Sequence, residues 1–77
     1  MKPIYKQPIS VGPFTVVGVV VHAAEQHGVP VVWFESDGLP RNYRLFMTGE
    51  AVPEDWEHVS TFLAEGGSFV GHLYREI

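Results

Sequence analysis

The sequence predicts a mainly β protein, folded as a small antiparallel curled sheet or incomplete barrel of about five to six strands. Proline and glycine, fourteen residues together, divide the 77-residue chain into short segments. β-Branched and aromatic residues fill most of these segments, as is typical of strands. A glycine-containing dipeptide separates two of the most apolar segments, which indicates a hairpin. A chain of this length forms one domain, residues 1–77.

The first two strands are predicted on either side of a break made by Pro8, Gly12 and Pro13. The first runs from Ile4 to Ile9, and the second from about Phe14 to Gln26. The second predicted strand is long, since typical strands have about five or six residues.

The second predicted strand is apolar on both of its alternating faces. One face carries Val17, Val19, Val21 and Ala23. The other carries Val16, Gly18, Val20 and Ala24, together with His22. Such a strand needs cover on both sides, whereas a domain of this size builds one small core. We therefore expect a second copy or a partner to cover part of it, and we assign Val17, Val19 and Val21 to self-association.

Turn chemistry places the middle strands. His27-Gly28 predicts a two-residue hairpin turn, in which glycine readily takes positive φ. The return strand is Val29 to Asp37, and Asp37-Gly38-Leu39-Pro40 predicts a further turn. A fourth strand follows from Asn42 to Thr48, and the last strand is Ser68 to Arg75.

The segment Pro53–Gly67 is compatible with two structures. As a helix it would align four apolar side chains on one face: Trp56, Val59, Phe62 and Leu63. As a strand, residues 58–63 are rich in β-branched and aromatic types, and Glu65-Gly66-Gly67 forms a hairpin turn. We expect a short helical turn near Pro53–Trp56 followed by a strand, with a short helix near 53–64 as the alternative.

Composition narrows the class of function. Nine acidic and five basic residues give a net charge of −4, without a basic surface for nucleic acid. The N-terminus lacks the apolar stretch of a signal peptide, and no apolar run is long enough to span a membrane. Cysteine is absent, so disulfides and thiolate metal sites are excluded. We expect a cytoplasmic protein that binds no membrane and no cofactor. The apolar content, 45%, favours a homo-oligomer.

Histidines are the candidate metal ligands. If Leu63 pairs with Gly67 across a tight turn, His58 and His72 lie opposite each other on neighbouring strands. Zinc requires at least a third ligand, such as His22 or Glu35, and the sequence has no compact ligand spacing. Strand histidines are more often surface or hydrogen-bonded residues, so we assign no metal.

A catalytic site is not indicated. Glu35, Asp37 and Glu50 are available carboxylates, but nothing in the sequence holds them together in a cleft, as acid–base catalysis requires. No serine lies in a nucleophile-elbow motif. We therefore interpret the protein as non-enzymatic.

Aromatic and basic residues form the candidate binding site: Trp33, Tyr43, Arg41 and Arg44. Trp33 and Tyr43 are predicted to be exposed, and an aromatic ring beside arginine can hold an acidic or phosphate-bearing ligand. The alternative is that Arg44 only pairs with Glu35 across the hairpin. The strand phenylalanines are predicted to pack in the core: Phe34, Phe46, Phe62 and Phe69.

Several motifs with their spacing resemble a family of small uncharacterised proteins of bacteriophages and prophages. The pattern of that family is an early YK, then QxGxPxLW, RxF, TG and a final GGxxVWHL. The matching residues here are Tyr5-Lys6, Gln26, Gly28, Pro30, Val32-Trp33, Arg44, Phe46, Thr48-Gly49, Thr61, Gly67, Val70 and His72-Leu73. Gly71 stands where the family often has tryptophan.

The resemblance implies a phage protein that acts by binding inside the host cell, and it implies no reaction. Our first hypothesis is a homo-oligomeric, non-enzymatic binding protein that inhibits a host defence or regulatory protein. The alternative is an oligomeric sponge that sequesters a small anionic ligand, such as a cyclic nucleotide. A small metal-dependent enzyme is the last alternative.

Overall fold

Five antiparallel strands form one sheet that does not close in the computed structural model, which describes residues 2–77. The strands are β1 (Ile4–Pro8), β2 (Phe14–Gln26), β3 (Val29–Met47), β4 (Trp56–Ala64) and β5 (Phe69–Glu76). A 3₁₀ turn, Glu65–Gly67, joins β4 to β5. The predicted fold class is confirmed.

β3 is the centre of the sheet because it pairs with three other strands. In its first half, Val32 pairs with Gln7 of β1 and with Ala23 of β2. In its second half, Tyr43 pairs with Phe14 of β2 and with Arg75 of β5. β1 and β5 therefore lie along the same edge of β3 at opposite ends, and β4 adds to the far side of β5.

The predicted reversal at Asp37-Gly38-Leu39-Pro40 is wrong. β3 runs through these residues as one strand of 19 residues. The register nevertheless jumps here, since Val17 pairs with Pro40 and Val19 pairs with Glu35. Between these two pairs β2 has one residue, Gly18, whereas β3 has four. These four residues of β3 form a large bulge. The residue types that make a turn also make a bulge, because both need positive φ and local side-chain hydrogen bonds.

Asp37 holds this bulge in shape. Its Oδ1 accepts hydrogen bonds from the Leu39 amide and from Arg41 Nη1, each at 3.0 Å. The Leu39 amide, more than the Arg41 guanidinium, holds the pKa of Asp37 below its usual value. Gly38, with φ of +78°, supplies the conformation that other residues rarely adopt.

The two halves of the sheet fold towards each other and enclose the core. β2 and β4 are not hydrogen-bonded neighbours, yet Phe62 and Ala64 of β4 lie in one buried cluster with Val20 and Ala23 of β2. The rest of this cluster is Phe14, Val16, Val32, Tyr43 and Leu73. The result is an incomplete barrel with its seam between β2 and β4.

The β2–β3 hairpin confirms the predicted turn and corrects the predicted faces of β2. His27 and Gly28 both have positive φ, as a type I′ turn requires. A second bulge between Val20 and His22 breaks the alternation of side chains. Ala23 is therefore buried in the core, whereas Val21 is exposed, so their predicted grouping on one face is wrong.

Residues 56–64 form a strand, so the alternative of a helix near 53–64 is wrong. A single turn precedes β4, in which the Trp56 amide donates to the Pro53 carbonyl at 3.2 Å. Alternation within β4 buries Phe62 and Ala64 and exposes Leu63. Pairing with β5 and burial of this face outweigh the helical spacing.

The four strand phenylalanines divide between two sides of the sheet. Phe62 is buried in the core, and Phe34 and Phe69 pack against it partly buried. Phe46 is also buried but belongs to a separate cluster. Phe46 follows Leu45, whose side chain packs against the core. Because neighbouring side chains in a strand alternate, Phe46 points to the opposite face.

Candidate functional site

Tyr43 does not form part of an exposed site, contrary to prediction. It is fully buried, its ring stacks on Phe14 at 6.0 Å, and the Val20 amide donates to its hydroxyl at 3.3 Å. Its hydroxyl thus links the second half of β3 to β2 across the corner of the sheet. Sequence reasoning missed this because the bulge before Tyr43 changes which strand positions point inwards.

The other three predicted binding residues lie apart. Trp33 is half-buried in the first half of β3, with its ring 5.4 Å from that of His22. Arg41 forms an ion pair with Asp37 at 2.9 Å. Arg44 lies on the outer face of the second half. A single chain therefore does not bring the four predicted residues together.

Arg44 forms different contacts from those predicted. Its guanidinium lies 4.6 Å above the Phe46 ring and 3.7 Å from a carboxylate oxygen of Glu50. The expected pair with Glu35 is absent from the ion pairs of residues 2–77. Glu35 lies in the first half of β3, where its backbone pairs with that of Val19. The bulge separates it from Arg44.

An aromatic layer surrounds Arg44 on this outer face. Phe46 makes edge contacts with Trp56 at 5.9 Å and with Tyr74 at 5.2 Å. Tyr74 makes a third edge contact, with His58 at 5.4 Å. Phe46 is 1% exposed although it does not belong to the main core cluster. In the sequence, Arg44 and Phe46 alternate with Tyr43 and Leu45, which face the core. This alternation is the signal from which the aromatic layer could have been predicted.

The register of β4 and β5 corrects the predicted histidine pair. Leu63 pairs with Val70 rather than with Gly67, and a bulge lies between His58 and Ser60. His58 therefore faces Tyr74, and His72 faces Thr61. The cause is the 3₁₀ turn, which takes up more residues than a tight hairpin turn.

A hydrogen-bonded chain through Thr61 connects the two histidines. Thr61 Oγ1 is 2.8 Å from His58 Nε2 and 3.0 Å from His72 Nδ1. His72 Nε2 is in turn 2.8 Å from Thr48 Oγ1. No group of three or more histidine, aspartate or glutamate residues that could hold a metal occurs within residues 2–77. A cavity of about 210 Å³ opens beside His72 and Tyr74.

A third ion pair lies at the far end of β5. Glu57 of β4 accepts a hydrogen bond from Arg75, and this bond raises the pKa of Arg75 above its usual value. The pair is partly exposed, so it adds little stability. The two residues are directly paired in the register of β4 and β5.

The outer face of β2 exposes apolar side chains. Val17 is 47% exposed and Val21 49% exposed, with partly buried Val19 between them. No Asp, Glu, Lys or Arg occurs from Phe14 to Ala24. In the part of the chain that the structure describes, β2 pairs only with β3, so its other edge, at the seam with β4, has no hydrogen-bonded strand.

Comparison with known proteins identifies a family. The model of the domain of unknown function DUF7352 matches residues 1–77, so the chain belongs to that family. No curated protein and no solved structure matches it. Across residues 2–77, no helix is long and apolar enough to cross a membrane.

Proposed function

We propose that this protein is a non-enzymatic binding protein that assembles through β2 and inhibits a host protein by contact. In this proposal it is a bacteriophage or prophage product that acts in the host cytoplasm on a defence or regulatory protein. The phage setting is supported by the sequence motifs described above. The binding mode is supported by the surface of β2.

The exposure of Val17 and Val21 is the observation that carries the proposal. Both remain about half exposed although the core of the chain is already complete. Covering apolar surface stabilises an assembly by roughly 25 cal/mol per Å². An apolar strip on a soluble chain is thus typical of an interface rather than of free surface.

A second copy of the chain is the partner that fits this strip. β1, the other edge strand beside β3, carries Lys6 and Pro8, which discourage pairing with further strands. The free edge of β2 has neither safeguard between Phe14 and Ala24. An unprotected edge next to exposed valines favours pairing between two β2 strands.

Native mass spectrometry tests the assembly. We expect more than one chain per particle at micromolar concentration, and a single chain for Val21→Lys, because a buried lysine opposes association. Val11→Lys is the matched control, since Val11 is fully exposed outside β2. A monomeric wild type, or equal dissociation by both variants, would contradict the proposal.

Inhibition of a host protein requires a second surface, which we assign to Arg44 and the aromatic side chains beside it. Arg44 is 37% exposed above an aromatic ring, a setting enriched at protein interfaces. We expect Arg44→Ala to lose capture of the host target while the assembly stays intact. Arg41→Ala should retain capture, because Arg41 is already engaged by Asp37. Equal capture by wild type and Arg44→Ala would contradict this assignment.

A further inference from the structure

The open end of the incomplete barrel contains a cavity that β2 does not line and that shares Arg44 with the aromatic layer. Its volume is about 330 Å³, within the range of small-molecule sites. Its walls are mostly apolar: Ile9, Pro30, Leu45, Met47 and Phe69. Cavities at the mouth of a β-barrel commonly hold one small ligand.

The topology explains why the cavity exists. β2 begins at Phe14, which pairs with Tyr43, so β2 does not extend alongside residues 44–47 of β3. Residues 9–12 cross in front of this gap instead, anchored by the Ile9 amide on the Pro30 carbonyl at 2.9 Å. Ile9, Leu45 and Phe69 pack against the core from the outside and remain partly exposed to the cavity.

Two charged side chains stand among the residues that line the cavity. Arg44 and Glu50 are 3.7 Å apart, with side chains 37% and 40% exposed. An exposed pair at this distance is weak, so another carboxylate can displace Glu50 from the guanidinium. Glu50 keeps a partner after displacement, because its Oε1 accepts a hydrogen bond from the Met47 amide at 2.9 Å.

We propose that this cavity binds a medium-chain aliphatic carboxylate. The aliphatic chain lies against Leu45, Met47 and Phe69, and the carboxylate forms a charge-assisted hydrogen bond with Arg44. An apolar chain matches the walls, and a single negative charge matches the guanidinium at the rim. The site uses Arg44, as the proposed host contact does, but no residue of β2 lines it, so it does not depend on the proposed assembly.

Isothermal titration of the full chain with decanoate, below its micelle concentration, tests the proposal. We expect saturable binding of decanoate, binding of decanol weaker by about tenfold or more, and no binding of acetate, since both the chain and the charge contribute. Absence of decanoate binding would overturn the proposal. Equal binding of decanol would overturn the role of Arg44, and binding of acetate alone would reduce the site to an anion site.

Matched variants locate the ligand. Arg44→Gln should weaken decanoate binding by about tenfold, whereas Arg41→Gln should leave it unchanged. Ser10→Trp, on the crossing segment at the mouth, should block binding without altering the core. In NMR spectra decanoate should shift the signals of Leu45 and Phe69. Shifts confined to the valines of β2 would overturn the assignment.

The variant that dissociates the assembly separates the two proposals. Val21→Lys should bind decanoate as the wild type does, because Val21 does not line the cavity. Loss of decanoate binding in Val21→Lys would overturn the independence of the site. Retained binding in a wild type that proves monomeric would contradict the assembly and leave the ligand site standing.

Discussion

Gly18 is the residue at which β2 passes the corner of the sheet. A Cβ at this position would lie 2.2 Å from the Glu35 carbonyl oxygen and 2.9 Å from the Phe34 ring. Its φ of +155° adds a conformation that side chains disfavour. We expect Gly18→Ala to lower the free energy of unfolding by more than about 2 kcal/mol. Urea denaturation measures this, with Gly12→Ala as control because its added Cβ meets open space.

If Gly18 lies as close to Glu35 as described, the two glycine substitutions must lower the free energy of unfolding by different amounts. Gly12 also has positive φ, +77°, so its variant reports the cost of backbone conformation without a steric contact. Equal losses for Gly18→Ala and Gly12→Ala would show that the close approach to Glu35 contributes nothing.

Asp37 gives the bulge a dependence on pH. The pKa of Asp37 is lowered in the folded chain. The stabilisation that its carboxylate gives to the fold is therefore complete above the unfolded pKa, and it is lost as pH falls through the folded pKa. We expect Asp37→Asn to be less stable than wild type at pH 7, and the difference to shrink below about pH 4. Thermal melts from pH 2 to 7 measure it. Asp55→Asn is the control, since Asp55 is exposed and has no side-chain hydrogen bond in residues 2–77.

At the scale of single strands, local chemistry predicts the hairpin but not the bulges. His27-Gly28 determines its turn through φ alone, so the pattern was sufficient. Asp37-Gly38 carries the same kind of signal, yet its outcome depends on Gly18, which is distant in sequence. Whether such residues reverse the chain or bulge within one strand is decided by the partner strand.

The register of β4 and β5 rests on Phe62 packing over Gly71. A Cβ on Gly71 would lie 3.0 Å from both Phe62 Cζ and Leu45 Cδ1. We expect Gly71→Ala to cost about 1–3 kcal/mol of stability, and Phe62→Leu to recover part of that loss by making space. A double-mutant cycle by urea denaturation measures the coupling. Strictly additive effects would contradict the register.

Across the whole molecule, the prediction of an incomplete barrel succeeded because composition and strand count limit the choices. The predicted exposure of Tyr43 was wrong because it depended on which residues face inwards. The bulge between Glu35 and Pro40 changed that parity in β3 and buried Tyr43, and the continuation of β3 through the predicted turn separated Trp33 from Arg44. Alternation in a strand is reliable only between bulges, and a single sequence does not mark them.

The stability of the whole molecule should depend on protein concentration if β2 joins two chains. Association stabilises the folded state by mass action. The free energy of unfolding rises by about 1.4 kcal/mol of dimer for each tenfold rise in protein concentration. This corresponds to an increase in Tm of roughly 3–5 °C for a chain of this size. We expect the increase for wild type and Val11→Lys, and a constant Tm for Val21→Lys. Calorimetry over a hundredfold range measures it, and a constant wild-type Tm would mean that Val17 and Val21 stay exposed to water in the working protein.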